Sequence, residues 1–283
     1  MLGRSARFAA SLAWIQAITP LLAADEKRRY RIGACDWSIG KMADAGSFEV
    51  AKAIGLDGVQ VSLGTEADDM KLRRPEVQRQ FQEAAQKAGV AIASLAIGEL
   101  NNVPYKSDPR TEAWVSDGVD VQKALGARVN LLAFFGKGDL VGDAAGTDEV
   151  IRRLKRVAPK AEKAGVVLGV ESWLSADDTM RILDRVGSPA VKMYYDVCNS
   201  TERGYDIFKE IRQLGRDRIC EFHLKENGAL LGKGKVNLVR VREALEDIGY
   251  SGWLVIEGAV PPGASMIESY RTNCRFVRDL FRI

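Results

Sequence analysis

One histidine in 283 residues is the sharpest scarcity in this chain. An H-E-x-x-H zinc site is excluded, and a Ser-His-Asp triad would leave no imidazole for anything else. Cysteine is sparse too. Cys35, Cys198, Cys220 and Cys274 are scattered with no C-x-x-C pair, so neither a redox motif nor a disulfide framework is indicated. Cys35 and Cys220 lie in strand-like runs, where a buried thiol behaves as a small hydrophobe. An excess of charge of one sign is nearly absent: 41 basic against 38 acidic residues leave a formal net charge of +3, which supplies no basic face for nucleic acid. Glycine-rich phosphate turns are missing. No G-x-G-x-x-G follows the first β-type run, and Gly136-Lys137-Gly138 and Gly232-Lys233-Gly234 lack the Ser or Thr and the helix start of a phosphate loop.

What is present begins with an export-like N-terminus. Arg4 and Arg7 precede a mostly apolar stretch from Phe8 to Leu22, and Ala23-Ala24-Asp25 offers small residues before a polar segment. The apolar stretch falls short of the roughly 20 residues that a membrane span needs, and Gln16, Thr19 and Pro20 interrupt it. Residues 1–24 are therefore expected to be a signal peptide, with 25–283 as one secreted or periplasmic domain free of the membrane after cleavage. Loss of Arg4 and Arg7 leaves that domain at +1.

From Tyr30 onward, β-type runs alternate with amphipathic stretches. The β candidates are Arg31–Trp37, Gly58–Leu63, Ala91–Ile97, Val129–Phe135, Val166–Glu171, Val191–Asp196, Ile219–Leu224 and Trp253–Glu257. Several are continuously apolar, as strands of a parallel sheet buried on both faces must be. Helical patterns lie between them at Phe48–Ile54, Pro75–Lys87, Glu112–Leu125, Asp148–Lys163, Ala176–Val186, Tyr205–Leu214 and Leu238–Ile248, and Ser265–Phe281 closes the chain. Glycines recur where the helices should stop. Eight such units over about 250 residues predict a single-domain α/β fold, the (β/α)₈ TIM barrel.

Four runs end on hard metal ligands: Glu171, Asp196, His223 and Glu257, spaced 25, 27 and 34 residues apart. Each gap is about one strand–helix unit. In a barrel the strand C-termini share one face, so the four side chains should converge. Three carboxylates brought together in an apolar pocket repel one another, and a divalent cation removes that difficulty. One imidazole with three carboxylates favours Mn²⁺, ahead of Mg²⁺, Co²⁺ or a closed zinc site.

The segments Gly169-Val170-Glu171-Ser172-Trp173, Tyr195-Asp196-Val197-Cys198-Asn199, His223-Leu224-Lys225-Glu226 and Val255-Ile256-Glu257-Gly258 resemble those of the sugar isomerase/epimerase superfamily of xylose-isomerase-like TIM barrels. The resemblance spans Arg31 to the C-terminus. It implies that Glu171, Asp196, His223 and Glu257 are the metal ligands, and that Glu171 and Glu257 are also the acid/base pair of the ketose 3-epimerase branch. The chain departs from that branch in two places and from the superfamily at large in a third. Asn199 replaces a histidine three residues after the metal Asp, Gly232-Lys233-Gly234 occupies the loop of a substrate arginine, and Glu226 follows the H-x-K tripeptide where Asp is usual.

The expected activity is a metal-dependent sugar isomerase or epimerase. It would move a proton next to the carbonyl of a free sugar or keto-sugar through an enediolate. A metal-dependent dehydratase or keto-glycoside lyase using the same site, and a non-catalytic sugar-binding barrel, are the alternatives. Trp37 and Trp173, at strand ends, can stack on a sugar face or simply pack. Lys225 shares a strand face with His223 and, with Lys137 and Asn199, completes the expected substrate contacts. Asn101 and Asn102 read as turn formers. The expected partner is a small-molecule sugar; a homo-oligomer is compatible with the fold.

Overall fold

The structure, a computed structural model, describes residues 29–283; the expected signal segment lies outside the described residues. Eight strands form: β1 Tyr30–Cys35, β2 Gly58–Ser62, β3 Ala91–Ile97, β4 Val129–Phe134, β5 Val167–Ser172, β6 Val191–Asp196, β7 Ile219–Glu226 and β8 Gly252–Gly258. All are parallel, in sequence order, and β1 pairs with β8 to close the barrel. The expected TIM barrel is the observed fold.

The outer wall is α1 Ser47–Ile54, α2 Pro75–Ala88, α3 Arg110–Leu125, α4 Ala144–Ala164, α5 Ala176–Val186, α6 Val197–Glu202, α7 Ile207–Arg218, α8 Leu238–Asp247 and α9 Met266–Phe281. Three helices differ from the sequence expectation, α7 by starting at Ile207 and running past a kink at Gly215 to Arg218 where Tyr205–Leu214 was expected. Helix α4 starts at Ala144 rather than Asp148 because the Asp143 carboxylate accepts from Gly146 N and caps it there. Helix α6 is additional, and six residues are too few to show a helical period. Among the described residues no helix is long and apolar enough to cross a membrane.

Strand alternation sorts side chains into two cores. Outward-facing Ile32, Val61, Leu95, Leu132, Leu168, Tyr195, Phe222 and Leu254 pack against Phe48, Val119, Leu154, Ile182, Ile211 and Leu245 from the helices. The inward-facing positions form smaller apolar clusters around Tyr194 and Leu131 and around Cys35, Trp253 and Val255. At the barrel floor Trp253 fills the lumen. A Cβ on Gly58 would lie 2.5 Å from its ring, so only glycine fits there. Gln60, Ser94, Asn130, Glu221 and His223 are buried with these clusters.

Candidate metal and acid–base site

Register delivers the site. The β6–β7 ladder sets Asp196 beside His223, the β7–β8 ladder sets Lys225 beside Glu257, and β4–β5 aligns Glu171 with Ala133 at the same rim. One ligand atom from each of Glu171, Asp196, His223 and Glu257 lies within 4.8 Å of the others. The His223 Nδ1 atom is 2.7 Å from Glu171 Oε1, 3.4 Å from Glu257 Oε2 and 4.0 Å from Asp196 Oδ2. All but the partly exposed Glu257 are buried.

Asp196 does two jobs at once. Its Oδ1 accepts from Cys198 N at 2.8 Å and Asn199 N at 2.9 Å, capping α6. That cap fixes the carboxylate and leaves Oδ2 buried with no hydrogen-bond partner among the described residues. A buried orphan oxygen is costly unless a ligand satisfies it. Three carboxylates, one of them with this oxygen left over, and one imidazole are a donor set that fits a divalent cation.

Lys225 lies against the same acids, with Nζ 2.9 Å from Glu257 Oε2 and 3.6 Å from Asp196 Oδ2. The other oxygen of Glu257 accepts from Trp37 Nε1 at 3.0 Å. The carboxyls therefore diverge. Burial drives Asp196 up to about 7, with Lys225 opposing and Glu257 and Glu171 adding to the rise. Burial would raise Glu257 as well, but His223 and Lys225, with Trp37, bring it down to about 2. Burial opposes the charged form of His223, yet Cys35, Glu171 and Glu257 hold the ring well above its ordinary value.

The structure distributes the other sequence candidates unevenly. Trp37 and Lys225 join the cluster. Trp173 is half-buried, with its ring centroid 5.2 Å from that of Phe135. Asn199 is buried in α6 and holds Asp196 through its backbone. Lys137 is exposed on the turn Gly136–Gly138. Asn101 braces a turn as expected, its Oδ1 accepting from Phe135 N at 2.8 Å. Sequence reasoning missed Gln60 altogether: its Oε1 lies 2.9 Å from His223 Nε2. Mid-strand, inside the lumen, it carries no strand-end signal.

The profile of the xylose isomerase-like TIM barrel family matches residues 48–280. The chain belongs to this family. A 2-epi-5-epi-valiolone 7-phosphate 2-epimerase of Actinoplanes sp. is 27% identical over 225 residues, covering 76% of this chain and 82% of that protein. A D-psicose 3-epimerase of Enterocloster bolteae is 30% identical over 151 residues, 50% of this chain and 49% of that one. Among solved structures, the D-psicose 3-epimerase of Clostridium cellulolyticum H10, in structures with D-tagatose, superposes with a TM-score of 0.75 at 18% identity, covering 89% of this chain and 99% of that one.

One departure of this xylose isomerase-like barrel from the expected motif has a structural reason. Glu226 reaches into the loop after β7, accepting from Lys235 N at 3.0 Å and Val236 N at 2.9 Å. The loop closes so tightly over it that a Cβ on Gly234 would lie 2.1 Å from the carboxylate.

Proposed function

We propose that this chain is a divalent-metal-dependent sugar epimerase or isomerase that transfers a proton at the carbon beside the carbonyl of a free sugar or keto-sugar. The observation that carries this reading is the pair Glu171 and Glu257, two carboxylates from β5 and β8 meeting at one imidazole. Glu171, Asp196, His223 and Glu257 would hold the ion, Mn²⁺ being the best match to their donors. When bound, it supplies Lewis-acid stabilisation of charge developing on the substrate carbonyl oxygen.

The protein's own part is proton movement. One glutamate takes the carbon-bound proton, and the C–H electron pair flows into the planar enediol form of the substrate. The other glutamate, protonated at the outset, delivers its proton from the opposite face for epimerisation, so the pair ends with its protonation exchanged; for isomerisation the proton goes to the neighbouring carbon while a hydroxyl proton moves from one oxygen to the other. Lys225 balances the negative charge of Asp196 and Glu257 and keeps Glu257 oriented. Trp37 fixes the second Glu257 oxygen. The names of both relatives, each an epimerase, support the reading. Export directed by residues 1–24 is part of the same proposal and favours an unphosphorylated substrate.

Lys225 also supports a second reading, β-elimination from a keto-glycoside or polyol. An ammonium held beside Glu257 offers a proton to a departing oxygen. The test is NMR of the protein, loaded with Mn²⁺ and chelated before recording, against ketoses and keto-glycosides in D₂O. Metal-dependent deuterium uptake at one carbon is expected, and the product separates epimerase from lyase. Tight metal binding with no exchange on any substrate would overturn the catalytic reading in favour of a binding protein.

A further inference from the structure

We infer that Gln60 is a positioning residue that sets which ring nitrogen of His223 faces the acidic cluster. This rests on the metal reading above and extends it to a residue whose side-chain hydrogen bonds go to His223, Ser94, Tyr194 and Cys35.

Nδ1 of His223 faces Glu171, Glu257 and Asp196, while Nε2 points down the barrel to Gln60 Oε1 at 2.9 Å. The amide is itself held. Its nitrogen lies 3.0 Å from Ser94 Oγ and 3.1 Å from Tyr194 OH. An amide nitrogen has two donors and its oxygen only lone pairs. With both donors directed to hydroxyls, the oxygen is what remains for the imidazole. The Cys35 thiol donates to that same oxygen at 3.4 Å. All four of these lumen side chains are fully buried, so water does not replace a lost partner.

An acceptor facing Nε2 requires that nitrogen to carry hydrogen. A cation would displace the Nδ1 proton that faces Glu171, and the neutral ring, with its hydrogen kept at Nε2 by the amide oxygen, would then present its lone pair at Nδ1. The flipped amide would do the reverse, placing a donor against Nε2 and the ring hydrogen at Nδ1. Ser94 and Tyr194 thus act on the site at one remove, by choosing the face of an amide.

The single histidine makes this directly readable, provided the full chain is purified without a histidine tag. Mn²⁺ affinity is measured by calorimetry on metal-stripped wild type, Gln60→Leu and Gln60→Glu, with circular dichroism confirming the fold. Leu, which fills the space without an acceptor, should weaken binding about 10- to 100-fold. Glu, which keeps the acceptor, should bind as wild type does. In ¹⁵N-histidine-labelled, Zn²⁺-loaded protein, the one imidazole N–H should exchange slowly in wild type and in Gln60→Glu, and rapidly in Gln60→Leu. Should Gln60→Leu not fold, Tyr194→Phe, which frees the amide on one side, should weaken Mn²⁺ in the same direction. Equal affinity and equal exchange in wild type and Gln60→Leu would overturn the inference and leave the metal site standing. A wild type that binds no Mn²⁺ would overturn both.

Discussion

At the scale of single residues, Glu257 and Asp196 have opposite surroundings within one cluster. Glu257 has both oxygens hydrogen-bonded, by Trp37 and Lys225; Asp196 has one oxygen capping a helix and the other near Lys225 but without a hydrogen bond. Replacing Glu171 or Glu257 by Gln keeps size and removes the basic oxygen. Each change should lower turnover by about 10²- to 10⁴-fold while the fold and much of the metal binding persist. Unchanged turnover in both variants would remove the acid–base assignment. The four convergent side chains were legible in the sequence because each lies at or next to the end of a β-type run, and strand ends in a barrel share a rim. Gln60, Ser94 and Tyr194 were not legible. Polar residues facing into the lumen partway along a strand look like ordinary alternation until closure brings them together.

At the scale of elements, the alternation of β-type runs with amphipathic stretches located every strand, because strands buried on both faces leave an unbroken apolar signature. Helix α6 escaped because its start is set by the Asp196 cap and not by a hydrophobic period. Two elements invite tests. Gly58→Ala puts a methyl 2.5 Å from Trp253 at the barrel floor. Such overpacking should cost about 1–3 kcal/mol, read as a lower urea midpoint; an unchanged midpoint would show that the floor relaxes freely. In the loop between β7 and α8, Glu226→Ala strips the Lys235 and Val236 amides of their acceptor. Limited proteolysis should then cut residues 227–237 faster, with the barrel intact. Equal cutting rates would mean that the carboxylate does not hold the loop.

At the scale of the molecule, the buried acids tie stability to pH. Burial is the first cause in each case, raising Asp36 to about 6, Asp196 to about 7 and Glu221 to about 8. A carboxyl raised by folding keeps its proton where the unfolded chain has already lost it. Its contribution is therefore complete below about pH 4 and is lost as pH climbs through the folded value. Metal-stripped protein should lose thermal stability between about pH 5 and 8. Since a cation needs Asp196 ionised, the Tm gain on adding Mn²⁺ should widen across the same interval. A Tm gain that is flat with pH would refute the coupling.

The closing pair of the barrel, β1 with β8, has a consequence in time. Trp37 and Glu257, which meet at the site, lie 220 residues apart. No partial chain emerging from synthesis can own this cluster: its last carboxylate arrives with the final strand, and the indole that steadies it has waited since the first. Any ion held by all four side chains would thus be admitted only by the finished fold. Whatever metal these four side chains would hold is then drawn from the surroundings in which the barrel closes.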